Sequence, residues 1–131
     1  MTALTEYFCE PVYFPRSAWD VVRWWETRRA VYNASVGAAG LATLGVLAVV
    51  GMLPPMPFAL AMVGAYALAA NLCYSLGAVA DLAARRMGDA SYAAVGPVLF
   101  RYGFVFSVGL TLIPIPVVLL AVVAKLLASL V

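Results

Sequence analysis

Long apolar runs alternate with short polar or proline-rich breaks along this chain, and the breaks define the elements. Residues 1–16 mix aromatic residues with Pro11 and Pro15, which argues for an extended segment along a membrane surface and against a continuous helix. Ser17 followed three residues later by Asp20 has the spacing of a capping box and predicts a helix start. Ala18, Val21, Val22 and Trp25 then share one face at helical spacing. Arg23, Glu26 and Arg29 stand three apart on another, where Glu26 reaches both arginines. From Val31 the polar face ends, and the same helix is expected to continue to Leu53. That stretch covers about 34 Å at helical rise, enough for a hydrocarbon core of ~30 Å.

Met52-Leu53-Pro54-Pro55-Met56-Pro57 stops this helix without using a charge. A second apolar stretch, 58–82, ends at Asp81, Arg85 and Arg86, and Gly88-Asp89-Ala90-Ser91 forms a polar turn. The last region, from Tyr92 onward, is interrupted by Pro114 and Pro116. As one helix from Val98 it would extend about 51 Å, far more than one crossing needs. Either it is a kinked helix that projects from the membrane, or the chain reverses at Ile113–Pro116.

Two features favour reversal. The run Tyr32-Asn33-Ala34-Ser35-Val36-Gly37 leads to Pro54-Pro55 much as Tyr92-Ala93-Ala94-Val95-Gly96 leads to Pro114 and Pro116. With four spans, all charges lie on one side, because Lys125 can snorkel back to the face that holds every arginine and acid. The expected architecture is an all-α integral membrane protein. It is a small helical bundle in a single membrane domain, 1–131, with an N-terminal interfacial extension of the first helix. The elements are 18–53, 58–82, 93–113 and a short 117–131, four transmembrane helices in two hairpins, with three as the alternative.

Composition agrees with lipid as the solvent. The chain is 66% hydrophobic and 11% charged, with a mean hydropathy of +1.00, and a soluble domain of this size has too much surface to hide so many apolar side chains. The formal net charge of +2 gives no reason to expect nucleic acid. The arginines gather beside the spans, which by the positive-inside rule puts the N-terminus in the cytoplasm. Trp19, Trp24, Trp25, Arg28, Arg29, Arg85 and Arg86 are the expected interface anchors. The first residues lack the apolar core and cleavage site of a signal peptide.

Candidate chemistry is sparse. Histidine is absent, which removes the commonest general base and metal ligand. Cys9 and Cys73 have no metal or disulfide spacing, so no metal and no cofactor is expected. Ser35, Ser75, Ser107 and Cys73 lack a histidine to activate them, and the chain is expected not to be an enzyme. Four-helix small multidrug transporters have a comparable length and helix count, but they depend on a membrane-embedded glutamate with no counterpart here.

Arg101, Asn71, Tyr74 and Ser75 are the candidates for a ligand or lipid site, Arg101 because a charge in an apolar run is costly. Two rows of small residues on the first span, Ala34, Ala38, Ala42 and Ser35, Ala39, Thr43, suit close helix packing, either on the chain's own next helix or in a homodimer seam. Gly103, Ser107 and Thr111 form a similar row on the third.

The segments Trp24–Asn33, Asn71–Gly77 and Phe106–Thr111 resemble small bacterial membrane proteins, which implies a multi-pass protein of the inner (plasma) membrane. The expected function is a non-enzymatic accessory or scaffold subunit, or a self-associating membrane protein. The alternative is a small transporter, channel or lipid-binding protein with a polar site near the cytoplasmic side. The expected partners are membrane lipid and either a second copy or a larger membrane complex.

Overall fold

The computed structural model describes residues 17–87 and 95–130; the expected interfacial segment 1–16 and the turn at Gly88–Ser91 lie outside them. About 90% of what is described is helix, with no strand. Helix α1 spans Ala18–Val49, α2 Met56–Met87, α3 Gly96–Leu112 and α4 Pro114–Ala128. Three stretches are long and apolar enough to cross a membrane: α1, α2 and the run Gly96–Ala128 that joins α3 to α4.

Helix α1 starts where the capping box places it. The Asp20 backbone N–H donates to Ser17 Oγ at 3.1 Å, and the Ser17 backbone N–H donates back to the Asp20 carboxylate at 2.8 Å. The helix then continues without a break for 32 residues, about 48 Å at 1.5 Å per residue. Its buried positions are Val21, Trp25, Arg28, Tyr32, Val36, Ala39 and Thr43. That alternating three- and four-residue spacing is one continuous stripe facing the other helices.

Helix α1 ends in a Schellman turn. Gly51 takes the left-handed conformation at φ 70°, its N–H donates to Ala48 O at 3.1 Å, and Met52 N–H reaches Leu47 O at 2.8 Å. The chain reverses there, and Pro54, Pro55 and Pro57 lead into α2. The comparable proline pair at 114 and 116 does not reverse the chain. Ile113 has helical angles, φ −52° and ψ −39°, and Val117 N–H bonds to Ile113 O at 3.5 Å. The expected second hairpin is therefore a continuing helix, and the third stretch has the interrupted-helix form.

The physical difference is one residue type. Gly51 stands three residues before Pro54, whereas Leu110 to Ile113 offer no residue that takes a left-handed backbone cheaply. Prolines within a membrane helix are tolerated when neighbours satisfy the backbone they disturb. Here Thr43 Oγ1 of α1 donates to the Thr111 carbonyl, just before Pro114, at 2.7 Å.

The radial distribution differs from that of a soluble domain, since polar residues share the interior with Val21, Trp25, Tyr74 and Phe100 while the exterior is apolar. Arg28, Thr43, Asp81 and Thr111 are buried, while Leu60, Leu68, Leu72, Leu76, Val105 and Phe106 are exposed. Of the 32 residues in α2, Ala59, Tyr74 and Asp81 are the buried ones. An apolar exterior of this extent would aggregate in water. In hydrocarbon it is solvated, and the polar groups turn inward to find partners.

With three crossings, reporters at the two termini report opposite sides of the membrane. A C-terminal reporter on the same side as the arginines would contradict this fold.

Candidate functional site

Trp25 lies at the centre of the bundle, 2% exposed, although its place among arginines suggested an interface anchor. Its indole N–H donates to Asp81 Oδ2 of α2 at 3.1 Å, and its backbone carbonyl accepts the Tyr74 hydroxyl. Edge-to-face ring contacts join it to Tyr74 at 5.2 Å, Trp24 at 5.5 Å and Phe100 of α3 at 6.0 Å. Two glycines make room for this junction. A Cβ on Gly77 would stand 2.7 Å from the Trp25 ring, and one on Gly96 would collide with the Asp81 carboxylate. Asp81 thus sits against the first turn of α3, where a helix N-terminus favours negative charge.

A second polar group joins α1 to α2 nearer the apolar span. Arg29 holds Glu26 through two contacts, at 2.9 and 2.7 Å. It also donates to Asn71 Oδ1 at 3.3 Å and Ser75 Oγ at 3.2 Å across the helix pair. Its guanidinium lies 4.8 Å from the Tyr74 ring centre. Asn33 and Asn71 exchange reciprocal amide hydrogen bonds at 3.3 and 3.1 Å. Four of Arg29's donor contacts are thereby used within the chain, and the group works as a clamp between helices.

Three of the four residues expected to form a ligand site meet around Arg29, and the fourth, Arg101, makes no contact with them among the described residues. Asn71 and Ser75 meet Arg29, and Tyr74 is buried with its hydroxyl on Trp25. Arg101 is exposed on α3. Among the expected anchors, Trp19 and Arg86 are exposed, Trp24, Arg29 and Arg85 are half-buried, and Arg28 is buried with its guanidinium 4.0 Å over the Trp24 ring. The row Ala34, Ala38, Ala42 faces outward. The neighbouring row packs instead, with Ala39 and Thr43 buried. On α3, Gly103 is exposed, whereas Ser107 accepts the Tyr32 hydroxyl at 2.9 Å and Thr111 pairs with the Tyr66 hydroxyl at 2.6 Å.

Between α2 and α3 the structure has a half-open cavity of about 190 Å³ that the sequence did not suggest. Its floor is aromatic and buried: Trp25 and Tyr32 from α1, Tyr74 from α2 and Phe100 from α3. The small residues Ala69, Cys73 and Gly103 keep its rim open. Because α1 supplies the floor, the opening faces away from α1. A sequence signal existed in the small residues spaced along facing helices, but nothing in spacing alone distinguishes a groove from a close contact.

Comparison with protein-family models, with characterised proteins and with solved structures finds no match.

The Trp25 junction makes the glycines unequal. Gly77→Ala is expected to cost about 1–3 kcal/mol through overpacking against a rigid buried ring. Gly103→Ala, whose Cβ meets nothing within 4 Å, is expected to be neutral or stabilising by up to ~1 kcal/mol. Unfolding in mild detergent, followed by tryptophan fluorescence, separates the two.

Proposed function

We propose that this protein is a non-enzymatic, self-associating scaffold of a bacterial inner membrane, with its arginine-rich face in the cytoplasm. The observation that carries the reading is the outward face of α1. Ala34, Gly37, Ala38, Ala42 and Gly45 are all exposed, and a Cβ on Gly37 or Gly45 would meet nothing within 4 Å. Among the described residues, neither glycine on this face makes a close approach to another helix. In hydrocarbon, helices associate through van der Waals packing and interhelical hydrogen bonds, and small residues let two backbones approach closely enough for both. A second copy presents the same face in the same membrane, so a two-fold pair with α1 against α1 is the form proposed.

The interior supports a structural role over a chemical one. The Tyr32, Tyr66, Tyr74, Thr43 and Thr111 hydroxyls all bond within the bundle. The buried carboxylate of Asp81 holds Trp25. Side chains that could have met a substrate are used in joining helices. Orientation rests on the grouping of Arg23, Arg28, Arg29, Arg85 and Arg86 beside the spans.

The test is the association constant in lipid, measured by single-molecule photobleaching across a range of protein-to-lipid ratios. Wild type is expected to dimerise, and Gly37→Leu combined with Ala38→Leu to weaken the dimer by about tenfold or more. Both substitutions point away from the bundle, so the monomer fold is expected to be retained. A monomeric wild type, or an unaffected variant, would overturn the proposal.

A further inference from the structure

We infer that the groove between α2 and α3 holds a single acyl chain of a membrane phospholipid, drawn from the leaflet on the arginine-bearing side. The inference is independent of self-association and uses the opposite side of the bundle, so either can fail alone.

Four observations define the occupant. The first is size. The cavity holds about 190 Å³, somewhat more than the ~150 Å³ apolar cavity that accepts a benzene ring and stays dry when empty. A second helix, ~10 Å or more across, does not enter such a slot. A stretch of hydrocarbon chain does.

The second is length and depth. Along α2 the lining runs from Tyr66 to Gly77, and along α3 from Leu99 to Leu110. Each interval is about 16 Å at helical rise, close to half of a ~30 Å hydrocarbon core. The slot therefore matches the depth of one leaflet. It begins at Tyr66, before the midpoint of α2, and runs towards Arg85 and Arg86.

The third is direction. At the end farther from the arginines, the Tyr66 hydroxyl pairs with Thr111 Oγ1 at 2.6 Å and reaches Ser107 O at 3.3 Å, tying α2 to α3. A chain entering from the arginine side stops there, with its methyl end against the Tyr66 bridge. The Tyr32 hydroxyl in the floor is already satisfied by Ser107 Oγ and the Ala70 carbonyl. An apolar chain therefore strands no polar group on entering.

The fourth is surroundings. The rim is flanked by Leu72, Val105 and Phe106, all well exposed. In a helix bundle that crosses a membrane, what lies beside such a rim is hydrocarbon. Aromatic floor rings with tilted and edge-on contacts give a fixed, uneven surface, to which one flexible chain conforms more readily than a rigid helix.

The full-length protein would be reconstituted into vesicles of phosphatidylethanolamine and phosphatidylglycerol. These would contain a phosphatidylglycerol with a photoactivatable diazirine midway along one acyl chain, and adducts would be mapped by mass spectrometry. Labelling is expected to concentrate on Ala69, Cys73 and Gly103, about tenfold above the exposed Leu68, Leu72 and Val105 on the same helices. Gly103→Phe, whose ring occupies the slot, is expected to abolish that excess while labelling elsewhere persists. Ala69→Leu narrows the opposite wall and is expected to do the same, which keeps the test intact if the phenylalanine variant fails to fold. Equal labelling at all these positions would mean ordinary surrounding lipid only and would overturn the proposal. So would protection of the rim accompanied by a Cys73-to-Cys73 disulfide between copies, which would mean that a second copy covers the groove.

Discussion

Everything in this bundle is seated on the pairing of Trp25 with Asp81. One side chain from α1 fills the space between three helices, and its single polar atom is met by one carboxylate from α2. That carboxylate lies against the first residue of α3, where only a glycine fits. The hydrogen bond, the ring contacts and the two glycine gaps depend on one another. Moving Trp25 would leave a buried carboxylate without this donor and open a void that no neighbouring side chain fills. The lateral groove follows from the same arrangement. A large ring from α1 wedged between α2 and α3 holds them apart, and small residues on their facing sides leave the gap open.

The solvent accounts for the rest of the design. Between apolar helices in hydrocarbon there is little hydrophobic force, so packing and hydrogen bonds decide which faces meet. The contacts form three levels. Trp25, Tyr74 and Asp81 join the helices at the first, Arg29 with Asn71 and Ser75 at the second, and Tyr66, Thr43, Ser107 and Thr111 at the third. The last level also serves the proline break, since Thr43 covers the Thr111 carbonyl beside Pro114. Self-association through α1 and occupation of the groove by a lipid chain, as proposed, use the two faces that these contacts leave uncovered.

Much of the architecture was legible in the sequence because it depends on local rules. The capping box at Ser17 and Asp20, the proline stop after Gly51 and the apolar lengths of the helices follow from neighbouring residues. Asn71 and Ser75, four residues apart, share one face of α2, and in the structure that face meets Arg29 of α1. What failed depended on partners or on a single backbone conformation. Trp25 has the composition of an interface anchor, but its depth is decided by Asp81, 56 residues away. Pro114 and Pro116 resemble the earlier proline turn, yet with no glycine among the four residues before Pro114 the helix continues. Ala34, Ala38 and Ala42 cannot be told from Ser35, Ala39 and Thr43 by residue size. Only the direction of the Trp25–Tyr32–Ala39 stripe shows which row turns inward.

The most direct measure of the Trp25–Asp81 pairing is a double-mutant cycle with Trp25→Phe and Asp81→Ala, read as unfolding free energy in bicelles. The phenylalanine keeps most of the ring volume and removes the N–H, so the cycle isolates the hydrogen bond. The structure predicts a coupling of roughly 1–2 kcal/mol, the range for a buried, charge-assisted bond in a membrane interior. A coupling below about 0.3 kcal/mol, the level at which independent sites add, would show that Trp25 is not held by Asp81 and would contradict this account of the bundle.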